Sequence, residues 1–220
     1  MLSIIHPSRN RPKEAIKAIN NWLDKAHCKG CIEYILSLDI DDPTVINYKP
    51  DPKVKIVQNN NRSAIDAINN AAKICTGSII IVVSDDFDCP IHWDAKLKHH
   101  LTGKSDFLVK TQDGIQKTLI TLPIMDRVYY NRFGYIYHPD YRHMYSDQEM
   151  TAVGHLLGRV ITLPLTFPHN HYSVGKWAKD ETNRRNDSTW HQGANLYKER
   201  QRANFGVENP KINYNQIVWH

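Results

Sequence analysis

Three carboxylates crowd one short turn, Ser84-Asp-Asp-Phe-Asp-Cys-Pro90. Oxygen donors of this kind suit a hard divalent cation such as Mg²⁺ or Mn²⁺, and such a cation suits a phosphate-bearing substrate. The plain alternative is a polar turn that caps the next helix, since Asp is common in both roles. Further along, Phe167-Pro-His-Asn-His171 offers two imidazoles, either as nitrogen ligands or as a surface pair on a loop. Ser146-Asp-Gln-Glu149 places Asp147 and Glu149 in the first turn of a helix. Negative charge there is favoured by about 0.3–1 kcal/mol, so capping alone accounts for one of the two. Cys28-Lys-Gly-Cys31, next to His27, has the spacing of half a zinc site. No second pair completes a tetrahedron, and a tight turn around Gly30 is the simpler account.

The elements that must hold these groups follow from apolar periodicity. Ile79 to Val83 is β-branched and unbroken, as in a central strand buried on both faces. Unpartnered carboxylates are costly to bury, so the aspartates should lie just past the strand end, in a crevice open to water. Leu2 to His6 reads as a first strand ended by Pro7, and Pro12 opens a helix that carries Ile16, Ile19 and Leu23 to about Ala26. Ile32 to Leu38 and Val54 to Val57 read as strands, each followed by a polar turn. From Ser63 a helix carries Ile65, Ile68 and Ala72 and stops near Gly77. This order predicts a mostly parallel sheet covered by helices.

Beyond the aspartates, Phe107 to Lys110 reads as a strand, and Asp113-Gly114 has the signature of a hairpin turn. Pro123 is expected to begin a helix through Met125, Val128 and Tyr129, and Gly134 to Tyr137 reads as a short strand. A helix from Ser146 carries Met150, Val153, Leu156 and Leu157. The chain is polar and basic after Lys176, and the turn-rich stretch beyond Phe205 is expected to pack loosely.

The 220 residues suffice for one well-buried core. With 41% hydrophobic and 23% charged residues the composition is that of a globular protein. No apolar run reaches the roughly 20 residues that span a bilayer, and the N-terminus lacks the basic and apolar regions of a signal peptide. Together with four cysteines readable as free thiols, this predicts a cytoplasmic protein. A net charge of +5 suits anionic nucleotides, acidic glycans and nucleic acid alike.

The order of these pieces resembles the GT-A-fold, family-2-like glycosyltransferases, which transfer a sugar from a nucleotide donor. Six motifs in sequence carry the resemblance, over about residues 2 to 180: Ile4-Ile-His-Pro-Ser-Arg-Asn-Arg-Pro12, the turn at Asp39, and Asn61-Arg62 with Ala67, Asn69 and Gly77. The others are Ser84-Asp-Asp-Phe-Asp88 with Pro90 and Trp93-Asp94, Ser146-Asp-Gln-Glu149, and Phe167-Pro-His-Asn-His171 with Gly175 and Asp180. The resemblance implies a Rossmann-like α/β domain over 1–180, with a donor half of about 1–104 and an acceptor half of about 105–180. Residues 181–220 then form a polar segment, either touching the acceptor or loosely packed.

The resemblance also implies roles. Donor contacts fall on Pro7, Ser8, Arg9, Asp39, Asp41, Arg62, Asp85 and Asp86. Mn²⁺ or Mg²⁺ falls on Asp86 and Asp88, with His169 or His171 closing the site. The metal-binding aspartates read equally as Asp86-Phe-Asp88 or as Asp85-Asp86, and the base as Asp147 or Glu149. A base at a helix start is expected to stay ionised through the helix dipole, which lowers its basicity. The donor is expected to be a UDP-sugar, transferred with inversion to an unspecified glycan, lipid-linked or protein acceptor.

Two other readings compete. A nucleotidyltransferase also uses acidic turns and metal, but its phosphate loop is glycine-rich, and Pro7-Ser-Arg-Asn-Arg-Pro12 has no glycine. A nucleic-acid-binding module would use the basic tail with Tyr172, Trp177, Trp190 and Tyr197 as stacking platforms. The crevice aspartates would repel a phosphate backbone, so no nucleic-acid partner is expected.

Overall fold

Alternate side chains along the central strands leave on opposite faces, and both sets are apolar. Ile4, Leu36 and Ile81 belong to one buried cluster, and Ile5, Ile35 and Ile80 to the other. A sheet patterned in this way needs helices on both sides. The structure, a computed structural model, describes residues 1–219 and shows that arrangement. It comprises β1 (Leu2–Ser8), α1 (Pro12–Asp24), β2 (Ile32–Asp39), β3 (Lys55–Asn59), α2 (Ala64–Ile74), β4 (Ile79–Val82) and α3 (Trp93–Leu101). There follow β5 (Leu108–Gln112), β6 (Ile124–Asp126), α4 (Arg127–Asn131), α5 (Ser146–Leu156), β7 (Val160–Thr166), α6 (Glu181–Asp187) and α7 (Trp190–Arg202).

The seven strands are ordered β3-β2-β1-β4-β6-β5-β7. All pairs are parallel except those made by β6, which runs antiparallel between β4 and β5. One layer is α1 and α3, whose Trp22 and Trp93 are fully buried, with Phe167 stacked on Trp22 at 5.6 Å. The other contains α2, α5 and α7, with Ile65, Ile68, Met150, Val153 and Tyr197 in its core. No helix among the described residues is long and apolar enough to cross a membrane.

Several local expectations are corrected. β1 runs through Pro7 to Ser8, since its ladder with β4 ends at Ile5, and a missing N–H is tolerated where one side of a strand has no ladder partner. Residues 124–126 form β6 rather than the start of a helix, because Asp126 ends the strand and caps α4 by accepting the Tyr129 N–H. Residues 134–137 are not a strand: Asn69 on α2 takes up the Ile136 and Tyr137 N–H groups. Asp113-Gly114 turns the chain, with Gly114 at φ +82°, yet makes no tight hairpin. Asp113 instead accepts from the Ile115 and Gln116 N–H groups and the Thr121 hydroxyl, closing a longer loop.

Cys28 and Cys31 are joined as a disulfide, because the turn at 29–31 brings their Cα atoms to 5.4 Å; Cys75 and Cys89 are free and buried. The described residues beyond α7 are anchored in the core. Phe205, Val207 and Ile217 are buried in the second core, where Tyr197 lies between Phe205 and Tyr145. Tyr197 is therefore a core residue rather than a stacking platform. Phe205→Ala should lower the free energy of unfolding by about 3–5 kcal/mol, read from the urea midpoint. An unchanged midpoint would mean that the tail adds nothing to the core.

Candidate functional site

β4 ends at Val82, and the chain then turns through Ser84, Asp85, Asp86 and Phe87. The segment after β7 folds back over this turn. The Asp88 N–H donates to the Pro168 carbonyl and the Asn170 N–H to the Asp86 carbonyl, both at 2.8 Å. Between them, the Phe87 and His169 rings stack at 4.1 Å. This backbone pairing sets His169 and His171 beside Asp86. One carboxylate oxygen and two imidazole nitrogens there lie within 4.8 Å of one another. Such a donor set fits a divalent cation that accepts mixed oxygen and nitrogen ligands.

Asp86 is almost fully buried. Burial works against its ionised form, but the hydrogen bond and charge of His169, with the Ser84 hydroxyl, outweigh it and hold the carboxyl down at about 2. Its stabilising contribution is therefore present above the ordinary carboxylate range and is lost as pH falls toward about 2.

Asp85 does a different job. It accepts from His6 Nε2 and Ser8 Oγ, each at 2.9 Å, and Arg11 stands 3.5 Å away. Asp85 thus ties the ends of β1 and β4 together beneath the crevice. Asp88 does not join the metal-capable group: its carboxylate takes Lys25 Nζ and Asn21 Nδ2, each at 2.6 Å, which draws it toward α1.

A cavity of about 670 Å³ opens over this turn. Its walls bring together Pro7, Ser8, Arg9, Asp39, Arg62, Asp85, Asp86, Asp147, His169 and His171 from the sequence analysis. Asp41, Asp88 and Glu149 are outside that wall. Arg9 bridges Asp39, at 2.8 Å, and the exposed Asp41, while Asn61 donates to the other Asp39 oxygen at 3.0 Å. Asp41 therefore holds Arg9 rather than facing the cavity. Arg62 sits on the rim, exposed and paired with Asp66 at 2.7 Å.

Asp147 is half-buried at the bottom of the opposite wall, where it is enclosed by neighbours while still reaching the cavity. Burial, only partly offset by the Gln148 N–H, pushes its carboxyl up to about 6. This reverses the expectation that the helix dipole would keep it acidic. The native fold holds that proton more tightly than the unfolded chain does, so stability from this group declines as pH rises toward about 6. Glu149 is buried behind the wall, accepting from Arg200 at 2.7 Å and the Tyr141 hydroxyl at 2.8 Å. It bolts α5 to α7 and does not line the cavity.

Other residues of the site, Arg11 and Asp180 among them, were given no role by the sequence analysis. Arg11 makes two hydrogen bonds to Asp180, at 2.6 and 2.8 Å, and one to Asn183, at 2.9 Å. With Asp180 capping α6, this pair draws α6 over the donor side of the cavity, where Arg185 reaches to 3.9 Å from Asp39. The contact spans some 170 positions of chain, beyond the reach of local pattern. Tyr145, just before α5, sits at φ +72°, a backbone strain of roughly 1–3 kcal/mol for a bulky residue.

No protein-family model matches the chain, and no curated protein matches it in sequence. Its shape does match solved structures. S. aureus TarS 1-349 superposes with a TM-score of 0.61 at 16% identity, over 94% of this chain and 74% of that one. The mannosyltransferase PcManGT from Pyrobaculum calidifontis, in complex with GDP-Man and Mn²⁺, gives 0.58 at 15% identity, over 76% and 56%. GalNAc-T7 with UDP, GalNAc and Mn²⁺ gives 0.62 at 13% identity, over 77% and 43%. The chain therefore has the GT-A fold of glycosyltransferases. It spans 36% of the longer TarS chain and a little over half of the mannosyltransferase.

Arg200→Met should leave Glu149 buried without its cation and lower stability by about 3 kcal/mol or more. Thermal unfolding checks this, and an unshifted transition would return Glu149 to the candidates for chemistry.

Proposed function

We propose that this chain is a metal-dependent glycosyltransferase that moves a sugar from a nucleoside-diphosphate donor, a UDP-sugar by preference, to an acceptor hydroxyl with inversion. The observation that carries this reading is the grouping of Asp86, His169 and His171 in the same cavity as Asp147, on a GT-A fold. Structures of the similar TarS 1-349 with UDP and with UDP-GlcNAc support the choice of donor. Residues of about 1–104 form the donor half, and those from about 105 form the acceptor half, to which residues 181–220 contribute.

Asp86, His169 and His171 would hold the cation. Mn²⁺ suits two nitrogens and one carboxylate better than Mg²⁺, which demands near-ideal octahedral geometry and favours oxygen. When bound, the cation supplies positive charge to the departing diphosphate. Arg62 and Arg185 on the rim add fixed positive charge for the same phosphates. Asp39, which lines the cavity and is braced by Asn61, presents a carboxylate for a nucleoside.

In the reaction, a bond forms between the acceptor oxygen and the sugar's anomeric carbon. The bond from that carbon to the phosphate oxygen breaks, and its electron pair leaves with the nucleoside diphosphate. The acceptor's proton passes to Asp147, whose carboxyl near 6 makes it a competent base at neutral pH.

Three outcomes follow. Asp86→Ala should abolish the Mn²⁺-dependent thermal stabilisation by UDP, while Asp88→Ala retains it. Equal loss, or equal retention, would undo the ligand assignment. Asp147→Asn keeps shape and removes the proton acceptor, so single-turnover transfer should fall about 10²–10⁴-fold with donor binding intact. Full activity in that variant would remove α5 from the mechanism. Because the base acts when ionised, kcat/KM should fall as pH drops through about 6, and the limb should vanish in Asp147→Asn. A limb that persists in the variant would take the role of base away from Asp147.

A further inference from the structure

The wall of the cavity that carries Asp147 has a composition unlike the donor side. Asp147 is its only carboxylate, and it carries the apolar Leu119, Tyr145 and Trp190 with the amides Gln116 and Gln148. Trp190 is 49% exposed, whereas Trp22 and Trp93 are fully buried. An indole left open inside a cavity, rather than on a convex surface, is an unmet contact surface.

This aromatic surface is rigidly built. The Tyr145 ring meets Trp190 edge-on at 5.1 Å and lies 5.8 Å from Tyr197. Tyr197 is fixed in turn by Phe205 and by a hydroxyl contact of 2.9 Å to Tyr214. The start of α7 is pressed onto the Met144-Tyr145 turn. Thr189 Oγ1 accepts the Met144 N–H at 3.1 Å, and a Cβ at Gly193 would overlap the Met144 carbonyl oxygen. Tyr145 is held at positive φ two residues before Asp147. Strain of that kind persists only where the surroundings over-determine it, as in ligand clamps.

We propose that Trp190, backed by Tyr145, is the acceptor platform, and that the acceptor is itself a saccharide whose pyranose ring lies on the indole and presents a hydroxyl to Asp147. The inference rests on the glycosyltransferase reading and names its second substrate class. A pyranose has a face of axial C–H groups, which an aromatic ring covers, and a rim of hydroxyls. The amides of Gln116 and Gln148 line the cavity to meet such a rim. An extended peptide is less suited: neither edge strand, β3 or β7, lines the cavity, so none offers it a ladder to join.

The test is saturation-transfer NMR on the metal-free protein with methyl β-D-glucopyranoside, methyl β-D-galactopyranoside and methyl N-acetyl-β-D-glucosaminide. Irradiating the aromatic envelope should transfer saturation to the axial ring hydrogens of at least one glycoside. The effect should weaken about fivefold or more in Trp190→Ala and recover in part in Trp190→Phe. Equal transfer to Trp190→Ala would overturn the proposal, as would no binding of any glycoside. Trp190-dependent binding of vesicles containing a polyprenyl phosphate, or of a serine-containing peptide, in place of the glycosides would overturn it in favour of that acceptor. UDP with Mn²⁺ is measured separately by thermal shift. Its failure to bind the parent protein would strike the glycosyltransferase reading and this inference together, whereas UDP binding without glycoside binding strikes the inference alone.

Discussion

The site depends on one piece of backbone pairing. Residues 86–88, at the end of the central strand, exchange hydrogen bonds with residues 168–170, which follow the last strand of the sheet. Each segment supplies only part of the group: the first turns Asp86 toward the second, since Asp88 is taken by Lys25 and Asn21, and the second brings two imidazoles. Paired, they become a three-ligand group. The Phe87–His169 stack and the His169 N–H bond to the Asp113 carbonyl, at 2.9 Å, fix the register of that pairing.

The other half of the chemistry is set by packing against a different layer. Glu149 and Arg200 bolt α5 to α7, and Gly193 lets α7 press on the turn before Asp147. The carboxyl that faces the cavity is thereby carried on a braced helix start, raised in pKa by enclosure, while the carboxyl of the metal group is lowered by its imidazole. Under the proposed function, their surroundings would suit these two aspartates to different tasks, one as base and one as ligand.

Much of this was legible in the sequence. The β-branched run before Asp85 and Asp86 marked the central strand and its crevice, since few other environments tolerate five such residues followed by carboxylates. The order of strands and helices through β4 followed from periodicity, and the motif order matched the fold. What escaped were contacts that need three dimensions. Asp88 is two positions from Asp86 in the chain, yet strand-end geometry turns it toward Lys25 at the end of α1. Glu149 looked as reactive as Asp147 until Arg200, 51 positions away, was seen to own it. β6 read as helix because Ile124 and Met125 are too few to show a strand period, while Met125, Val128 and Tyr129 recur at helical spacing. The basic tail looked loose because its few buried residues, Phe205, Val207 and Ile217, are widely spaced among polar ones.

The central claim is that Asp86, His169 and His171 form one cation site. Pulsed electron paramagnetic resonance on Mn²⁺ added to the protein with UDP tests it directly, because ligating imidazole nitrogen leaves a resolved modulation. Nitrogen coupling from two histidines is expected, reduced to one in either His169→Ala or His171→Ala. Bound Mn²⁺ with oxygen ligands alone, or coupling that survives both substitutions together, would contradict it.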